Sequence, residues 1–427
     1  MRVAVFWFRR DLRLEDNTGL NQAFASGLPV LPVFIFDENI LDKLPKNDAR
    51  VGFIYTTLES IDKTLKKQES SLLCLKGKPE KVWEQLTHTY EIAAVYTNKD
   101  YEPYALERDK NVKRLLGEKG IEMYLYKDHV IFEENEVVKD DGKPYTVYTP
   151  YKNKWLSHFD RNKYQPEITG KGSLHQLDAT FPTLKELGFE PSTIMVKPYD
   201  LSNVPTYAET RDYPAKDATS YLSPHLRFGT VSVRQVIAKL KSEDTTFLSE
   251  LIWREFFQQI LYHFPHVIGS NFKSQYDGIT WRNNEIEFEK WCKGQTGYPM
   301  VDAGMRQLNS TGYMHNRVRM VVASFLCKHL LIDWRWGESY FAERLLDYEL
   351  ASNNGNWQWA AGTGSDAAPY FRVFNPTEQL KKFDPELIYT KQWVAEYGGF
   401  GYPEPMVDHK MARERAIETF SKGLNNV

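Results

Sequence analysis

Tryptophan residues with nearby amides are the part of this sequence best suited to chemistry. Of the 11 tryptophans, eight lie after residue 250 and four fall between residues 334 and 359, around the amides of Asn353 and Asn354. Tryptophan is bulky, is hard to bury completely, and carries an N–H group that needs a hydrogen-bond acceptor. A core built only for stability would use leucine and isoleucine instead. The cluster therefore indicates a site where planar rings stack and where electrons or bases are handled.

A run of hydroxyl side chains offers a second chemical possibility. Thr219, Ser220 and Ser223 come just before or at the start of a predicted helix. Hydroxyls at this place can cap the helix or help to bind a phosphate, because both uses depend on the unpaired N–H groups of the first turn. From the residues alone, capping is the more common use and phosphate binding is the alternative.

A carboxylate and an indole share one face of a helix predicted at residues 248–264. Glu250 and Trp253 are three residues apart, and Phe257 follows one turn later. The carboxylate could hold the polar edge of a base while the indole stacks on its ring. The alternative is a weak surface pair between Glu250 and Arg254. The spacing alone does not favour either interpretation.

Other candidate residues also have simpler explanations. Arg319 and Asp347 could form an ion pair that lines a ligand site, or they could be solvated charges. The Asn353–Gly355 segment could belong to a site or to a turn that ends a helix. The ten histidines do not combine with cysteine or aspartate at the spacing of metal ligands, so no metal site is predicted. His315 has no evident partner and is interpreted as structural.

Length and composition restrict the class of protein. A chain of 427 residues, 42% hydrophobic and 26% charged, is expected to fold into two or three domains. The net charge of −3 gives no overall signature of nucleic-acid binding, although it is compatible with a local basic face. Three scattered cysteines indicate a reducing compartment, and we recognise neither a signal peptide nor a membrane-spanning run. We expect a soluble, cytoplasmic monomer.

The apolar pattern predicts an α/β domain followed by an all-helical domain. Five apolar runs are predicted to be strands: Val3–Phe8, Leu31–Phe36, Leu72–Leu75, Ala93–Thr97 and Met123–Tyr126. Helical stretches alternate with them, which is typical of a parallel, Rossmann-like sheet whose strands are buried on both faces. No glycine-rich dinucleotide motif follows the first strand. We place this domain at residues 1–130, a long linker at 131–200, and the helical domain at 201–427.

Longer motifs in this chain resemble those of the DNA photolyase and cryptochrome family, and in particular class I cyclobutane pyrimidine dimer photolyases. The motifs are Phe8–Arg13, Thr146–Lys152, Glu250–Phe256, Thr296–Ala303, Met314–Arg317 and Asn353–Trp359. They occur in the same order and at matching intervals over nearly the whole chain. The resemblance implies an antenna-type N-terminal domain, a C-terminal helical domain that binds FAD and DNA, and light-driven repair of pyrimidine dimers.

The resemblance implies a non-covalent FAD, bent into a U. Its photoexcited reduced anion donates an electron to a thymine dimer, which splits and returns the electron. The residues that the resemblance assigns to FAD are Tyr207, Thr219, Ser220, Leu222, Ser223, Asn316, Arg319, Asp347, Glu349 and Asn353. Tyr207 and the 219–223 segment would hold the diphosphate and ribityl portion. Asn353 would face the flavin N5, where a neutral amide, unlike a carboxylate, does not disfavour the anion.

The resemblance also implies a site for a dimer flipped out of the DNA helix, which costs less than flipping an undamaged base. The residues assigned to the dimer and the DNA are Arg211, Glu250, Trp253, Phe257, Asn316, Arg317, Met320, Trp359 and Arg372. The three arginines among them would neutralise phosphates. A further implied feature is an electron chain of Trp357, Trp334 and Trp281, which reduces oxidised FAD in light and is not needed for repair once FAD is reduced.

Two positions depart from the family pattern. Glu349 stands where the family usually has aspartate, which changes the length of a side chain that contacts the flavin ring. Tyr104 and Ala105 stand where folate-binding members have an Asn-Glu pair, so the carboxylate that binds the pterin is missing. If a second, antenna chromophore is present, we therefore expect deazaflavin or flavin rather than folate.

Three other functions are alternatives to dimer repair. Repair of 6-4 photoproducts uses histidines in the substrate site, and Asn316 and Met320 occupy their places here. A blue-light signalling cryptochrome of the plant type has aspartate opposite N5, where this chain has Asn353. A flavin oxidoreductase lacks support because no nicotinamide site is visible.

Overall fold

The strands predicted in the first 130 residues form one parallel sheet. In a computed structural model that describes residues 2–425, the strands are β1 (Val3–Phe8), β2 (Val30–Asp37), β3 (Leu73–Gly77), β4 (Ile92–Asn98) and β5 (Glu122–Tyr126). Their order across the sheet is β3-β2-β1-β4-β5, and each adjacent pair is parallel. Ala4 of β1 is in register with Val30 on one side and with Ala94 on the other. The predicted parallel sheet is confirmed.

The expectation that all strands are buried on both faces is wrong for the two outer strands. β1 and β2 are buried along their whole length, whereas most residues of β3 and β5 are partly or fully exposed. Each outer strand has a neighbour on one side only, and each carries a polar residue, Lys76 or Glu122, that faces solvent. Apolar runs of four or five residues do not distinguish a central strand from an edge strand.

Helices make up most of the remaining regular structure. Their bounds are α1 (Thr18–Ala25), α2 (Glu38–Leu41), α3 (Ala49–Lys66), α4 (Pro79–Thr89), α5 (Pro103–Gly117), α6 (Tyr148–His158), α7 (Tyr207–Thr210), α8 (Ser223–Phe228), α9 (Val233–Lys239), α10 (Thr245–His263), α11 (Glu285–Lys293), α12 (Pro299–Thr311), α13 (Asn316–Ser324), α14 (Trp334–Arg344), α15 (Leu350–Ala361), α16 (Pro376–Phe383), α17 (Ile388–Trp393) and α18 (His409–Asn425). Single 3₁₀ segments lie at Val204–Thr206, Pro214–Lys216, Pro265–Ile268 and Ser274–Tyr276, and a π-helical turn at Phe325–His329 continues α13. Within residues 2–425, no helix combines the length and the apolar character needed to cross a membrane.

The helix predicted at residues 248–264 is confirmed as α10, which begins three residues earlier. The Asn353–Gly355 segment lies inside α15, so its interpretation as a helix-terminating turn is wrong. α6 was not predicted, and it buries Tyr151 and Trp155 in a segment expected to be a linker. Its weak amphipathic pattern explains the omission, since periodicity is the main signal by which a helix is recognised.

The chain divides into two compact units, each assembled from three segments. The first unit contains the sheet and consists of the chain up to Glu136, Trp155–Pro198 and Tyr221–Lys241. The second unit consists of Val137–Lys154, Tyr199–Ser220 and the chain from Ser242 onward. The segment 131–200 therefore contributes to both units.

In the second unit, the helix that starts at Asn316 carries a core stripe, which the i, i+3, i+4 and i+7 spacing of apolar residues from Val318 predicts and the structure confirms. Val318, Val321, Val322 and Phe325 are at most 1% exposed and share one hydrophobic cluster with residues of α12, α14 and α15. Burial of this face leaves the other face of α13 free for polar groups, which is the usual arrangement of an amphipathic helix.

In the first unit, a cluster of buried charges lies beyond β1. The Arg13 and Arg234 guanidinium groups pair with Asp128 at 2.5 and 2.8 Å, and Arg234 also pairs with Asp16 at 3.0 Å. Burial alone would raise the pKa of Asp128, but these guanidinium groups hold that pKa well below its usual value. Buried charges of this kind are tolerated only while each has its partner.

We expect Asp128→Asn to lower the free energy of unfolding by about 3 kcal/mol, because two buried guanidinium groups lose a shared counter-charge. Urea denaturation at neutral pH measures this change. Asp140→Asn is the matched control, since the Asp140 side chain is fully exposed and lies 3.4 Å from Lys154, and it should have no measurable effect. Equal stability of Asp128→Asn and wild type would contradict a role for the cluster in holding the unit together.

Candidate functional site

α10 presents an aromatic surface with a carboxylate at its edge. The Trp253 ring stacks on Tyr148, with ring centroids 3.5 Å apart and planes 7° apart, and it also contacts Phe257 at 5.4 Å. Trp253 stays partly exposed, whereas Phe257 is buried. The predicted grouping of an indole and a phenylalanine on one helix face is therefore present, and Tyr148 is an addition that sequence reasoning missed.

Glu250 pairs with a residue outside its own helix. Its carboxylate accepts a hydrogen bond from Arg211 at 2.5 Å. The alternative surface pair between Glu250 and Arg254 is wrong, because Arg254 instead lies 3.5 Å from Glu349. Burial raises the pKa of Glu250, and Arg211 offsets part of that effect. The site thus holds a half-buried carboxylate whose orientation is fixed by a guanidinium group.

Arg319 and Asp347 form an ion pair, as one of the two interpretations of these residues predicted. Arg319 donates to both carboxylate oxygens of Asp347, at 2.9 and 3.2 Å, and its Nε donates to the backbone oxygen of Met314 at 2.8 Å. The Asp347 side chain is largely buried, so these are not freely solvated charges. The guanidinium group is held in one orientation by two partners.

His315 caps the helix that carries Arg319. It is the N-cap residue of α13, and its Nδ1 accepts the backbone N–H of Arg317 at 3.2 Å. Accepting this bond requires an unprotonated Nδ1. Burial lowers the pKa of His315 to about 4, which keeps the ring neutral at physiological pH. The structural interpretation of His315 is confirmed, with capping as its role.

Asn353, inside α15, has a fixed amide. Its Nδ2 donates to the backbone oxygen and to the carboxylate of Glu338, at 3.0 and 2.8 Å. Both N–H groups are therefore committed to one residue, and no group in the described part of the chain donates to its Oδ1. Burial raises the pKa of Glu338. The result is a buried neutral amide that offers an oxygen acceptor, and Glu338 is a supporting residue that no sequence pattern indicated.

Glu349 turns toward α10. Its carboxylate accepts from Gln258 at 3.1 Å and from Ser352 at 3.1 Å. The Oε1 atom of Gln258 is buried and has no hydrogen-bond partner among residues 2–425. An orphaned buried acceptor is costly, so it is evidence that a ligand or a water donates to it.

Tight helix packing positions these groups. A Cβ atom on Gly355 of α15 would lie 2.1 Å from a ring atom of Phe257 on α10, and one on Gly337 of α14 would lie 2.1 Å from a ring atom of Trp357 on α15. Real Cβ contacts are never this short, so only glycine lets the rings reach the neighbouring backbone. Gly355 thus explains part of the amide-rich motif that the sequence singled out.

The three tryptophans of the predicted electron chain differ in exposure. Trp357 is 2% exposed and Trp334 is 1% exposed, whereas Trp281 is partly exposed. Trp334 donates its indole N–H to Asn271 at 2.9 Å. Trp357 also contacts the buried ring of Trp291 at 6.2 Å. Their role in electron transfer stays a prediction.

The remaining predicted residues lie at several places. Arg317 pairs with Asp212 at 2.7 Å and lies 3.8 Å from the sulfur of Met320. Asn316 and Arg372 are exposed, and Trp359 is partly exposed. Their side chains are therefore accessible to a large substrate.

The residue at the N-cap of the helix after the hydroxyl segment is not a hydroxyl residue. α8 begins at Ser223, and its N-cap is Leu222, whose side chain makes no capping hydrogen bond. The interpretation of a hydroxyl residue as the N-cap of this helix is therefore wrong. Thr219 and Ser220 belong to the second unit together with Tyr207, whereas Leu222 and Ser223 belong to the first unit. A role of this segment in binding FAD stays a prediction.

Comparison with known proteins identifies the class to which this fold and site belong. Residues 4–169 match the family model described as DNA photolyase, and residues 247–401 match the FAD binding domain of DNA photolyase. A deoxyribodipyrimidine photo-lyase from Synechococcus sp. is 37% identical over 96% of this chain and 95% of its own length.

Two solved structures are also similar. A class III photolyase from Agrobacterium tumefaciens has a TM-score of 0.89 and 34% identity, and the match covers 100% of this chain and 98% of that one. An archaeal photolyase from Sulfolobus tokodaii with two FAD molecules has a TM-score of 0.87 and 38% identity, covering 99% and 100% of the two chains. The chain belongs to the DNA photolyase family, and its second unit contains the FAD-binding domain of that family.

The residues of the site fit FAD. Isoalloxazine has both N–H donors and carbonyl acceptors, and the second unit offers groups of matching chemistry, namely the oxygen of Asn353, the buried orphaned oxygen of Gln258 and the oriented guanidinium group of Arg319. The amide of Asn353 is neutral, so it would not oppose a negative charge placed beside it.

We expect the stability of the protein to fall as the pH is lowered from about 6.5 to about 4, and His315→Asn to remove part of that dependence. The folded state keeps His315 neutral down to its pKa of about 4, whereas the ordinary value is 6.5. The unfolded chain therefore binds more protons in this window, which lowers the free energy of unfolding as the pH falls. Asparagine caps a helix without titrating.

Urea denaturation of both proteins at several pH values between 4 and 7 measures this difference. His88→Asn is the control, because His88 is exposed on α4 and should leave the pH profile unchanged. If stability depends on pH in the same way in His315→Asn and in wild type, titration of the His315 cap is ruled out.

Proposed function

We propose that this protein repairs cyclobutane pyrimidine dimers in DNA in a light-driven reaction. The observation that carries the proposal is its 37% identity, over 96% of the chain, to a deoxyribodipyrimidine photo-lyase. FAD, bound in its reduced form and excited by light, supplies the electron that opens the dimer. The chain's own residues bind and orient the cofactor and the lesion. They also keep opposing negative charges away from the flavin ring.

Asn353 is the proposed partner of the flavin N5 position. Glu338 holds both N–H groups of its amide, so the oxygen is the atom left to accept a hydrogen bond. An acceptor fixed in this way costs no reordering when the cofactor binds. Because the amide is neutral, it stabilises a ring N–H without opposing a negative charge elsewhere on the ring.

The ion pair of Arg319 and Asp347 is proposed to bind the flavin ring from α13. Asp347 and the backbone oxygen of Met314 fix the guanidinium group, which places a positive charge beside an anionic ring. Glu349 and Asn316 are the further ring contacts that we propose, and Tyr207 with the 219–223 segment is proposed to hold the diphosphate and ribityl portion.

The dimer is proposed to rest against partly exposed rings beside a carboxylate. Trp253 and Trp359 offer ring surface, Glu250 offers an acceptor for the N–H groups at the pyrimidine edge, and Asn316 and Met320 lie on the free face of α13. Phe257, being buried, would support Trp253 from behind. Extrusion of the dimer from the DNA helix belongs to this proposal.

DNA phosphates are proposed to bind Arg211, Arg317 and Arg372. Arg211 and Arg317 each already pair with a carboxylate, which fixes their orientation and leaves further N–H groups for a phosphate oxygen. Such contacts are independent of sequence and weaken as salt increases. We further propose that the protein acts as a cytoplasmic monomer, which is in keeping with its three free cysteines.

A second chromophore, if it binds, is proposed to be deazaflavin or flavin rather than folate. Tyr104, at the position of the missing pterin ligand pair, donates its hydroxyl to Asp37 at the end of β2, 2.5 Å away. The carboxylate of Asp37 therefore already accepts a hydrogen bond from within the protein. The relative from Sulfolobus tokodaii contains two FAD molecules, which supports a flavin.

Absorption spectroscopy followed by illumination tests the proposed function. The purified protein should show bound flavin and no pterin. Blue light should then restore monomeric thymines in dimer-containing oligothymidine, as followed by the return of absorbance at the wavelength of intact thymine. The same mixture kept in the dark is the control. A colourless protein that takes up no FAD, or a flavoprotein that leaves the dimer intact in light, would contradict the proposal.

Trp334→Phe should lose most of the rate at which light reduces its oxidised FAD, yet repair normally once FAD has been reduced chemically. Phenylalanine is much harder to oxidise than tryptophan, so it interrupts a chain of oxidisable rings. Transient absorption measures the first rate, and dimer repair in blue light measures the second.

Trp393→Phe is the control for this substitution, because Trp393 lies in the same unit but outside the proposed chain. Equal loss of photoreduction and of repair by the reduced enzyme would contradict the assignment of Trp334 to the chain.

A further inference from the structure

Tyr148, the first residue of α6, is rigidly held against Trp253. Their rings are parallel within 7°, with centroids 3.5 Å apart. Tyr148 is 7% exposed, and its hydroxyl donates to the backbone oxygen of Ser249 at 2.7 Å. Phe256 contacts the Tyr148 ring edge-on at 5.8 Å. The tyrosine ring is thus fixed along its length, and it offers the indole a flat surface.

The backbone around Tyr148 is tied to a second part of the same unit. The N–H of Tyr148 donates to the carboxylate of Asp366 at 3.1 Å, and Ser365 donates its hydroxyl to the backbone oxygen of Thr146 at 2.6 Å. Residues 365 and 366 belong to the loop after α15 that leads to Arg372. Tyr148 therefore cannot shift relative to α10 or to this loop without breaking hydrogen bonds.

This arrangement restricts the Trp253 ring. Tyr148 covers one part of the indole and Phe257 contacts it as well, at 5.4 Å, while the rest of Trp253 remains exposed. A partly exposed indole without such neighbours would populate several rotamers. If only one rotamer receives the ligand, the apparent affinity falls by the fraction of molecules in that rotamer.

We propose that Tyr148 is a positioning residue for lesion recognition, which holds the Trp253 indole in the orientation that receives the extruded dimer. The inference rests on the function proposed above, in which Trp253 contacts the dimer. Tyr148 acts through Trp253, so it affects how tightly damaged DNA binds and not how fast a bound dimer is opened.

Tyr148→Leu tests the inference, because leucine fills part of the buried volume but offers no flat surface. We expect the dissociation constant for dimer-containing oligothymidine to rise about 3- to 10-fold, in line with the strength of an aromatic pair. The rate of repair at saturating DNA by chemically reduced enzyme should stay at the wild-type value, as should the affinity for intact oligothymidine. Tyr148→Phe keeps the ring and should restore most of the affinity for damaged DNA.

Tyr151→Leu is the matched control for a general effect on folding. Tyr151 is a buried tyrosine of the same helix that packs on Phe256, and among the ring contacts of the described residues it has none with Trp253. We expect it to lower stability without changing the preference for damaged DNA. A loss of preference equal to that of Tyr148→Leu would overturn the inference.

A double-mutant cycle with Trp253→Ala decides whether Tyr148 acts through the indole. If it does, adding Tyr148→Leu to Trp253→Ala should cause no further loss of affinity for damaged DNA. Additive losses would overturn the inference, and so would full preference for damaged DNA in Tyr148→Leu. Wild-type protein that binds damaged and intact DNA equally would overturn the proposed function as well, which separates the two failures.

Discussion

Close packing of α15 between α10 and α14 is the constraint on which the rest of the second unit depends. Gly355 and Gly337 lack the Cβ atom that would otherwise collide with the rings of Phe257 and Trp357. The short distances between these helices set where Asn353 lies, since it is about one turn or less from each contact. Protein interiors are close-packed and do not deform continuously, so an added methyl group at either glycine would force the facing ring or the helix to shift.

Each polar group around this packed core is held in position by a partner from another segment of the chain. Arg211 holds Glu250, Asp347 holds Arg319, and Glu338 holds Asn353. Ordering a side chain costs entropy, and here that cost is met during folding and not at the moment a ligand binds. A flavin and a base are rigid, planar molecules, so groups fixed in advance can match their donors and acceptors closely.

Predictions from local spacing were wrong where the actual partner of a residue lies far away in the chain. Glu250 and Arg254 have the spacing of a helical ion pair, yet Glu250 pairs with Arg211 and Arg254 approaches Glu349. An exposed pair within one helix contributes little, so a better-buried partner from another element prevails. The N-cap position of α8 likewise falls on Leu222, between the hydroxyl residues Ser220 and Ser223.

The sequence by itself determined the alternation of strands and helices, the buried stripe of α13, and the family motifs, because periodicity and motif order are properties of neighbouring residues. Only the tertiary structure decided which strands lie at the sheet edges, that Glu338 orients Asn353, and that Tyr148 stacks on Trp253. Hydrogen bonds and ring contacts depend on distances of a few ångströms between segments remote in the chain. Those distances follow from the packing of whole helices, which no local pattern encodes.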